Sequence, residues 1–345
     1  MKPNWRVEYH SPTDALVITL ILYIVSANIP PPLDSLTIPY MRLAVSRLAS
    51  PVDGFLQRCN FPEADGKPYH LAVSGGPDSL AMAVLSMLAG LQVEIWHVDH
   101  KIRPESADEA VSVASFAEAL GVRFHLVSQK VADGSNLEAR ARNLRKEQLP
   151  VGVATGHTMD DQAETLLINL MRGAGLRGLG AMEPGFSKPI LGLRRSETKE
   201  ICRAVGLSPL QDPSNSSVRF LRNRVRHQVV PQMCEVASRD VVPILARTSL
   251  ILKEQDAFLD GVCFDIDPGD VKRLVELHRV LRMRVVRRAI EALVGYPPSY
   301  DALVELDDLI MSKRNFRVQL AGDVDVTCRR GLISYIKRPK GVDPP

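Results

Sequence analysis

The sequence is poor in cysteine, and its cysteines stand far apart. There are five, and no two form a C-x-x-C pair: Cys59, Cys202, Cys234, Cys263 and Cys328. This spacing argues against a zinc ribbon, an iron–sulfur site, a redox dithiol and a disulfide framework, because each needs cysteines in a closer or more regular pattern. Free cysteines are ordinary in a reducing compartment, so we expect a cytoplasmic protein.

Net charge and long apolar runs are also modest. The formal net charge is only +3, so the overall balance does not indicate nucleic-acid binding, and local clusters of basic residues matter more. Residues 15–29 are strongly apolar, but a membrane-spanning helix needs roughly 20 such residues, and three prolines end the run. We expect residues 1–40 to be a dispensable extension with no membrane role. A membrane anchor is the alternative.

One stretch is typical of a phosphate-binding turn. Residues 70–79 read HLAVSGGPDS, in which an apolar strand leads into a Gly-Gly turn and a run with helical spacing. Backbone N–H groups at the start of a helix attract anions, and glycine allows a close approach. Asp78 would repel phosphate, so a Mg²⁺ ion bridging Asp78 to phosphate oxygens resolves the conflict. The alternative is an ordinary glycine-rich turn before a capped helix.

The stretch matches neither G-x-x-x-x-G-K-S/T nor G-x-G-x-x-G. It resembles the PP-loop, S-G-G-x-D-S, of the ATP pyrophosphatases, which cleave ATP between the α- and β-phosphates and adenylate an oxygen of their substrate. The resemblance implies that the loop cradles ATP through Ser74, Gly75, Gly76, Pro77, Asp78 and Ser79.

Strands and helices alternate after this turn. We predict further strands at 93–100, 122–127 and 151–155, and helices at 104–120, 136–149 and 159–171. The alternation predicts an α/β fold with a doubly wound, mostly parallel sheet, which binds ligands beyond the carboxyl ends of its strands. Polar residues follow three of the strands, at Ser74, at Asp99 and His100, and at Gly156 and His157. We therefore expect them to converge on one edge.

A second cluster, GHTMDDQAET, covers residues 156–165. Asp161 and Glu164 lie three residues apart on one helical face, where paired carboxylates can hold Mg²⁺ or orient an ammonium group. The alternative is that acids in a first helical turn favour the helix dipole and cap the helix. We interpret His97 and His100 as hydrogen-bonding walls of the site, because two histidines without a third ligand rarely bind zinc.

Six segments in this order resemble the tRNA(Ile)-lysidine synthases. They cover about residues 70–233 and read VSGGPDS, HVDHKIR, NLEARARNLR, GHTMDDQAETLLINLMRGAGLRGLGAM, KPILGLRRSE and QDPSNSSVRFLRNRVRHQVVPQM. The resemblance implies that ATP adenylates O2 of cytidine 34 in the CAU anticodon of tRNA(Ile). The ε-amine of free L-lysine then attacks C2 and expels AMP. It implies ATP and Mg²⁺ as cofactors, the tRNA and lysine as partners, and compatibility with a homodimer.

The resemblance also assigns roles to residues. The catalytic set is Asp78, Asp161, Glu164, Arg142 and Arg222, with Asp78 and Asp161 as Mg²⁺ ligands. His100 and Gly156 join the PP-loop residues around ATP, and the substrate and tRNA contacts are Arg145, Asn223, Arg224 and Arg226. Lys146 stands where the family pattern has Tyr.

The chain is long enough for two domains, at 345 residues with 45% hydrophobic content. We predict an N-terminal extension over 1–60 with an amphipathic helix from Met41, a catalytic domain over 61–235, and a smaller, mainly α-helical, tRNA-contacting domain over 236–345. In the last we expect helices at 241–260, 270–294 and 299–311 and short strands at 316–320, 324–328 and 332–336.

Residues 279–288 are rich in arginine. Each engaged arginine would neutralise a tRNA phosphate; the alternative is a solvated helix face paired with nearby acids.

Three rival functions share some of these features. A tRNA thiolase also has a PP-loop, but it typically needs cysteines that are not suitably placed here. An amide-forming PP-loop synthetase does not account for the arginine-rich segment RNRVR at 222–226. A non-catalytic ATP-sensing or RNA-binding protein would not need the full set of carboxylates and arginines.

Overall fold

The computed structural model describes residues 37–48, 52–99, 106–128, 148–210 and 220–338. Three predicted site residues, His100, Arg142 and Arg145, lie outside the described residues, as does most of the helix predicted at 136–149. The chain divides into two units, residues 1–250 and 251–345. This division lies later in the chain than the boundary predicted at 235/236.

The first unit is built on a parallel sheet, as predicted. Among the described residues its strands are β1 (Pro68–Ala72), β2 (Gln92–Asp99), β3 (Arg123–Ser128) and β4 (Ala154–Thr155), in the order β3-β2-β1-β4. Each neighbouring pair is parallel. The fourth strand is shorter than predicted, because Val151 and Gly152 form a turn in which Gly152 has a φ of +79°.

Helices make up most of the other regular structure in this part of the chain. In chain order they are α1 (Ile38–Val45), α2 (Val52–Leu56), α3 (Pro77–Leu88), α4 (Ser106–Ala119), α5 (Met159–Met171), α6 (Leu176–Leu179), α7 (Arg195–Ala204), α8 (Leu221–Arg224), α9 (Val230–Ala237) and α10 (Val242–Val262). A π-helix, Val225–Val229, joins α8 to α9. The last helix runs across the division between the two units.

The core of the first unit lies between α3 and one face of the sheet. Alternate strand residues such as Leu71 and Ile95 are fully buried there against the almost wholly buried helix α3, as period-2 alternation requires. Tyr40 and Met41 of α1 belong to the same core. Residues from Thr37 onward, which caps α1, are therefore part of the first unit's packed structure.

The second unit combines helices with a small sheet. It contains α11 (Val271–Glu276), α12 (Arg279–Val294), α13 (Tyr300–Met311) and an antiparallel sheet, β5 (Phe316–Leu320), β6 (Val324–Arg329) and β7 (Leu332–Lys337), in the order β5-β6-β7. The three predicted strands are confirmed. The prediction of a single helix at 270–294 is wrong, because the backbone is extended at Leu277 and His278. The His278 side chain caps α12.

The arginine-rich stretch at 279–288 is largely used inside the second unit. Arg282 is 4% exposed and donates to both oxygens of Asp307, at 2.6 and 3.3 Å. Arg284, also buried, donates to Asp260 at 2.7 Å and to Asp256. The expectation that these two arginines contact tRNA phosphates is therefore wrong. The alternative is right that they pair with nearby acids, but these pairs are buried rather than on a solvated helix face.

No helix among the described residues is long and apolar enough to cross a membrane. The apolar run at 15–29 lies outside them.

Candidate active site

The Gly-Gly turn lies between β1 and α3, as the sequence predicted. Gly75 has a φ of +85°, a backbone conformation that strains any residue with a Cβ, and a Cβ there would also displace Cδ1 of Leu210, 2.4 Å away. The Leu210 N–H donates to the Gly75 carbonyl at 3.0 Å. Ser79 Oγ donates to the Gly76 carbonyl at 2.9 Å and accepts from the Ser74 N–H at 3.2 Å. The turn therefore holds the first N–H groups of α3, which have no intrahelical partner, at the carboxyl end of β1.

Gly156 brings the second cluster against this turn. A Cβ on Gly156 would lie 2.9 Å from the backbone of Asp78 and from the Ser79 nitrogen. Only glycine permits that approach without moving backbone atoms. The segment that follows β4 is thus packed directly on the first turn of α3.

Three carboxylates from these two segments converge on one guanidinium. Arg195, at the start of α7, lies 3.4 Å from Asp78, 2.8 Å from Asp161 and 2.9 Å from Glu164, measured between nitrogen and oxygen atoms. Glu164 is 2% exposed and Asp161 is 7% exposed. The structure therefore brings together all three acids that the sequence singled out.

Arg226 and Arg222 approach the same acids from the other side. Arg226 contacts Glu164 at 2.7 Å and Asp161 at 3.4 Å. Arg222 donates to Thr165 Oγ1 at 3.2 Å and lies 3.9 Å from Asp161. Arg226 belongs to the π-helix, and such wide turns occur often at functional sites because they re-aim side chains.

The two neighbouring predicted residues are placed differently. Asn223 is buried, whereas Arg224 is exposed.

Two residues of the site are not predicted from the sequence. Arg195 lies in the segment KPILGLRRSE, to which the family resemblance assigns no role. Thr198, one turn later, donates its hydroxyl to Asp78 at 2.5 Å. The feature of the sequence that could have indicated this role is the pair of consecutive arginines, Arg194 and Arg195, at the start of α7. Several acidic residues occur upstream of this pair, in the segments around Asp78 and Asp161.

Asp160 links α5 to α7 rather than joining the acid cluster. It accepts from Arg194 Nε at 3.1 Å and from the Arg195 N–H at 2.8 Å. These bonds fix the start of α7, and with it the backbone of Arg195, relative to α5.

The capping interpretation of Asp161 is confirmed for one of its two oxygens. One oxygen accepts from the N–H and the hydroxyl of Thr158, each at 2.9 Å, which caps α5, and the other faces Arg195 and Arg226. Burial raises the pKa of the Asp161 carboxyl, but Arg195 and the Thr158 N–H outweigh burial, so the pKa lies below its ordinary value. Asp161 is therefore held ionised.

The other two charges of the cluster are tuned differently. Burial raises the pKa of Asp78 above its ordinary value, and the Thr198 hydroxyl and Arg195 offset only part of that rise. Burial lowers the pKa of Arg195, but Asp161, Glu164 and Asp78 raise it by more than burial lowers it. The pKa therefore lies above its ordinary value, and the guanidinium stays charged. Three carboxylates thus share Arg195 and Arg226 at close range, with Arg222 3.9 Å from Asp161.

A magnesium ion fits Asp78 better than Asp161. No group of three His, Cys, Asp or Glu side chains suited to a metal occurs among the described residues. Mg²⁺, however, often takes one or two carboxylates and completes its shell with substrate phosphates. Both carboxylates have each oxygen engaged, since Asp78 accepts from Thr198 at 2.5 Å and from Arg195 at 3.4 Å. The contact from Asp78 is, however, the longest of the three to Arg195, and Asp78 lies in the first turn after the Gly-Gly loop.

The remaining polar groups form walls. His97 is buried, and its Nδ1 lies 2.8 Å from the Val73 carbonyl oxygen, in agreement with a hydrogen-bonding role. A small cavity opens beside the cluster. Its lining residues are Asp160, Glu164, Arg195, Arg226, Val230 and Val242.

Two family models match the chain. A PP-loop domain matches residues 52–233, and a TilS substrate binding domain matches residues 270–332. The first therefore contains the Gly-Gly turn and every described residue of the acid–arginine cluster.

Individual relatives give the same result. The tRNA(Ile)-lysidine synthase of Nocardia farcinica is 36% identical over 260 residues, covering 71% of this chain and 82% of that protein. The enzyme of the same name from Rhodococcus erythropolis is 40% identical over 199 residues, covering 55% and 61%.

Among solved structures, a U34-tRNA thiolase from Methanococcus maripaludis aligns at 20% identity with a TM-score of 0.46, over 63% of this chain and 78% of that one; a likeness at that level carries no weight for function. The PP-loop model and the similarity over most of the Nocardia protein show that the chain belongs to the tRNA(Ile)-lysidine synthase family.

Proposed function

We propose that this protein ligates free L-lysine to C2 of cytidine 34 in the CAU anticodon of tRNA(Ile). The product, lysidine, switches decoding from AUG to AUA. The observation that carries the proposal is the convergence of Asp78, Asp161 and Glu164 on Arg195. This convergence places the Gly-Gly turn, which suits phosphates, beside Asp161 and Glu164, which suit a cation. A reaction between ATP and an amine requires both in one site. We expect this chemistry in the cytoplasm.

The first step is adenylation of the base. Cytidine O2 attacks the α-phosphorus of ATP, the bond to the bridging oxygen breaks, and pyrophosphate leaves. The N–H groups at the start of α3 and the hydroxyls of Ser74 and Ser79 are the donors for the phosphates. We assign Mg²⁺ to Asp78, where it would neutralise the charge that develops on pyrophosphate.

The second step is attack by lysine. The lysine nitrogen bonds to C2, the C2–O2 bond breaks, and AMP leaves with O2. Asp161 and Glu164 would bind the ammonium group, because they already face a cation, Arg195, in the structure. The amine must lose a proton before it attacks, and a carboxylate at hydrogen-bond distance can accept it.

Arginines flank this centre and suit the polyanionic substrate. Arg222 and Arg226 project from α8 and the π-helix onto the acids. We propose Arg222 as a catalytic contact and Arg226, Asn223 and Arg224 as substrate contacts.

Arg142 and Arg145, with His100 near ATP, keep the roles that the family pattern gives them. A homodimer is compatible with this scheme.

The thiols argue against the thiolase alternative. Burial raises the pKa of Cys59 and of Cys202 to about 12, so both stay protonated at neutral pH and are poor nucleophiles. Cys202 instead donates to the Pro77 carbonyl at 3.3 Å. It serves the structure of the loop.

The direct test is incorporation of labelled lysine into tRNA(Ile) with a CAU anticodon. We expect incorporation that requires ATP, and a loss of about 100-fold or more in Glu164→Gln, because the lost carboxylate positions and deprotonates the amine. Glu254→Gln, which changes an exposed carboxylate of α10, should act like the unchanged protein. Absence of lysine incorporation, or transfer of sulfur instead, would refute the proposal.

A further inference from the structure

Two consecutive arginines stand at the start of α7, and their side chains have different partners. The second, Arg195, contacts Asp78, Asp161 and Glu164. The first, Arg194, is the N-cap residue of the helix. The proposed chemistry uses Arg195 and leaves the side-chain contacts of Arg194 without a role.

The Arg194 guanidinium joins two acids from different parts of the first unit. It donates to one oxygen of Asp160 at 3.1 Å and to the other at 3.3 Å, and its third nitrogen donates to Asp240. Burial lowers the pKa of Arg194, but the hydrogen bonds and charges of Asp160 and Asp240 outweigh burial, so the pKa lies above its ordinary value. The side chain is therefore a charged bridge from α5 to the residue two positions before α10.

This bridge bears on Arg195 through Asp160. The oxygen of Asp160 that accepts from Arg194 Nε also accepts from the backbone N–H of Arg195, at 2.8 Å. One carboxylate oxygen thus holds the side chain of the first arginine and the backbone of the second. Misplacement of a catalytic group by about 1 Å can lower a rate about 100-fold, so this contact matters for where the Arg195 guanidinium lies.

Asp240 uses its two oxygens for two purposes. One accepts from the Val242 N–H at 3.0 Å and caps the start of α10, and the other accepts from Arg194. The Asp240 side chain is 48% exposed. Ion pairs as open as this contribute little to the free energy of unfolding. The pair with Arg194 therefore adds little to the stability of the fold.

Plain attachment of α10 is the alternative role for this pair. Helix α10 already has a buried contact with α5, because Gln162 donates to Ser249 Oγ at 2.8 Å and both side chains are buried. A buried hydrogen bond is more costly to lose than an exposed ion pair. The attachment of α10 therefore does not depend on Asp240.

The start of α10 also borders the cavity beside the site. The lining of that cavity includes Glu164, Arg195 and Val242, and Val242 is buried. The Val242 N–H is the group that Asp240 caps. Asp240 thus contacts both the arginine that precedes Arg195 and a residue of the cavity wall.

We propose that Asp240 is a positioning residue for the proposed reaction. Through Arg194 and Asp160, it holds the Arg195 guanidinium on the acids that would bind lysine. The proposal rests on the proposed function, which gives those acids their role. A cluster of charged groups acts efficiently only when supporting contacts fix its geometry. Loss of this pair should therefore impair the lysine step more than it impairs the fold.

Asp240→Asn separates the two contacts of this residue, because asparagine still caps a helix but has no charge for Arg194. We expect kcat/KM for lysine to fall about tenfold, while the KM values for ATP and tRNA change less than about twofold. The melting temperature should fall by less than about 4 °C. A contact that only supports the fold would do the reverse, lowering the melting temperature and leaving the kinetics of the folded protein unchanged.

Two further variants complete the comparison. Asp53→Asn is the matched control, since Asp53 of α2 is also an exposed aspartate paired with an arginine, Arg42, at 3.9 Å. It should leave the kinetics unchanged. Arg194→Gln should lower kcat/KM for lysine at least as much as Asp240→Asn does. Combining the two should cause no further loss, because both break the same bridge.

Hydrogen exchange at the start of α7 tests the positioning without the reaction. The Arg195 N–H donates to Asp160, so its exchange should become about tenfold faster in Asp240→Asn and stay unchanged in Asp53→Asn. Unchanged exchange or unchanged kcat/KM for lysine in Asp240→Asn would overturn the proposal, as would additive losses from Arg194→Gln and Asp240→Asn. Failure of the unchanged protein to incorporate lysine would instead count against the proposed function alone, because hydrogen exchange does not depend on the reaction.

Discussion

Arg195 is the residue around which the site is organised, since its guanidinium contacts acids from two distant segments. We expect Arg195→Ala to destabilise the first unit by about 2 kcal/mol, because Glu164 and Asp161 are buried and, among the described residues, would keep Arg226 as their closest charged partner. Arg195→Lys should recover part of the stability but little activity, since one ammonium cannot replace three guanidinium contacts. Urea unfolding and lysine incorporation measure the two effects.

A matched control lies on the same helix. Arg203 is exposed, so Arg203→Ala should change the free energy of unfolding by less than about 0.5 kcal/mol. If Arg195→Ala proved as stable as Arg203→Ala, the cluster would not have the electrostatic role described.

Loss of the negative charge should change the free energy of unfolding in opposite directions at Asp78 and at Asp161. The pKa of Asp161 is lowered in the folded state, so its ionised form stabilises the fold above its ordinary pKa, and that stability is lost as the pH falls through the lowered value. The pKa of Asp78 is raised, so its stabilising contribution exists below its ordinary pKa and disappears as the pH rises through the raised value.

At neutral pH, therefore, Asp161→Asn should destabilise the first unit by about 1 kcal/mol or more, whereas Asp78→Asn should not destabilise it. Asp78→Asn should nevertheless abolish lysine incorporation, because the charge that burial disfavours is the one we assign to Mg²⁺. Unfolding by urea at several pH values reports the stabilities. A larger loss of stability at neutral pH in Asp78→Asn than in Asp161→Asn would contradict this assignment.

At the scale of elements, the contact between Gly156 and α3 sets the geometry of the site. Gly156→Ala would place a Cβ 2.9 Å from backbone atoms of Asp78 and Ser79, so β4 or the first turn of α3 must move. We expect a loss of about 1–3 kcal/mol in stability and weaker ATP binding, read by calorimetry. Gly261→Ala is the control, because nothing lies within 4 Å and the residue is helical. It should be neutral or stabilising by up to about 1 kcal/mol; equal behaviour of the two variants would rule out the close packing.

The contacts of helix α1 reduce the segment that we expect to be dispensable from residues 1–40 to residues 1–36. Thr37 accepts from the Tyr40 N–H and caps α1, and Tyr40 is 3% exposed in the core. Deletion of residues 1–36 should leave stability and activity unchanged. Deletion of 1–40 should cost about 2–4 kcal/mol, through the lost cap and the lost aromatic side chain. Thermal unfolding of the two truncations measures this, and identical melting would show that Tyr40 and Thr37 contribute nothing.

The sequence predicts an element well when neighbouring residues determine it, and poorly when contacts between distant segments do. Helix α5 begins and ends where predicted, because Thr158 caps it and its apolar spacing is helical throughout. The break before α12 is not predictable from periodicity, since the apolar pattern continues across Leu277 and His278. The acids and glycines of the site follow from motifs, but the role of Arg195 depends on a contact between segments that only the folded chain brings together.

At the scale of the whole molecule, we propose that chemistry and tRNA recognition fall on different parts of the chain. The cluster around Arg195 lies in the part matched by the PP-loop domain, and the TilS substrate binding domain matches residues 270–332. We expect damage to the first to lower kcat and damage to the second to raise the KM for tRNA. Steady-state kinetics of Glu164→Gln and of Arg314→Gln/Arg330→Gln, which alters two exposed arginines of the second part, would separate the two, and the reverse pattern would contradict this division.

The central claim is that the acid–arginine cluster joins lysine to cytidine. The most direct measurement is the mass of the nucleoside at position 34 of tRNA(Ile), after incubation with this protein, ATP and isotope-labelled lysine and digestion of the tRNA. We expect a nucleoside with the mass of cytidine plus labelled lysine less one water, absent without ATP and absent with Glu164→Gln. An unmodified cytidine at position 34, or a sulfur-containing base in its place, would contradict it.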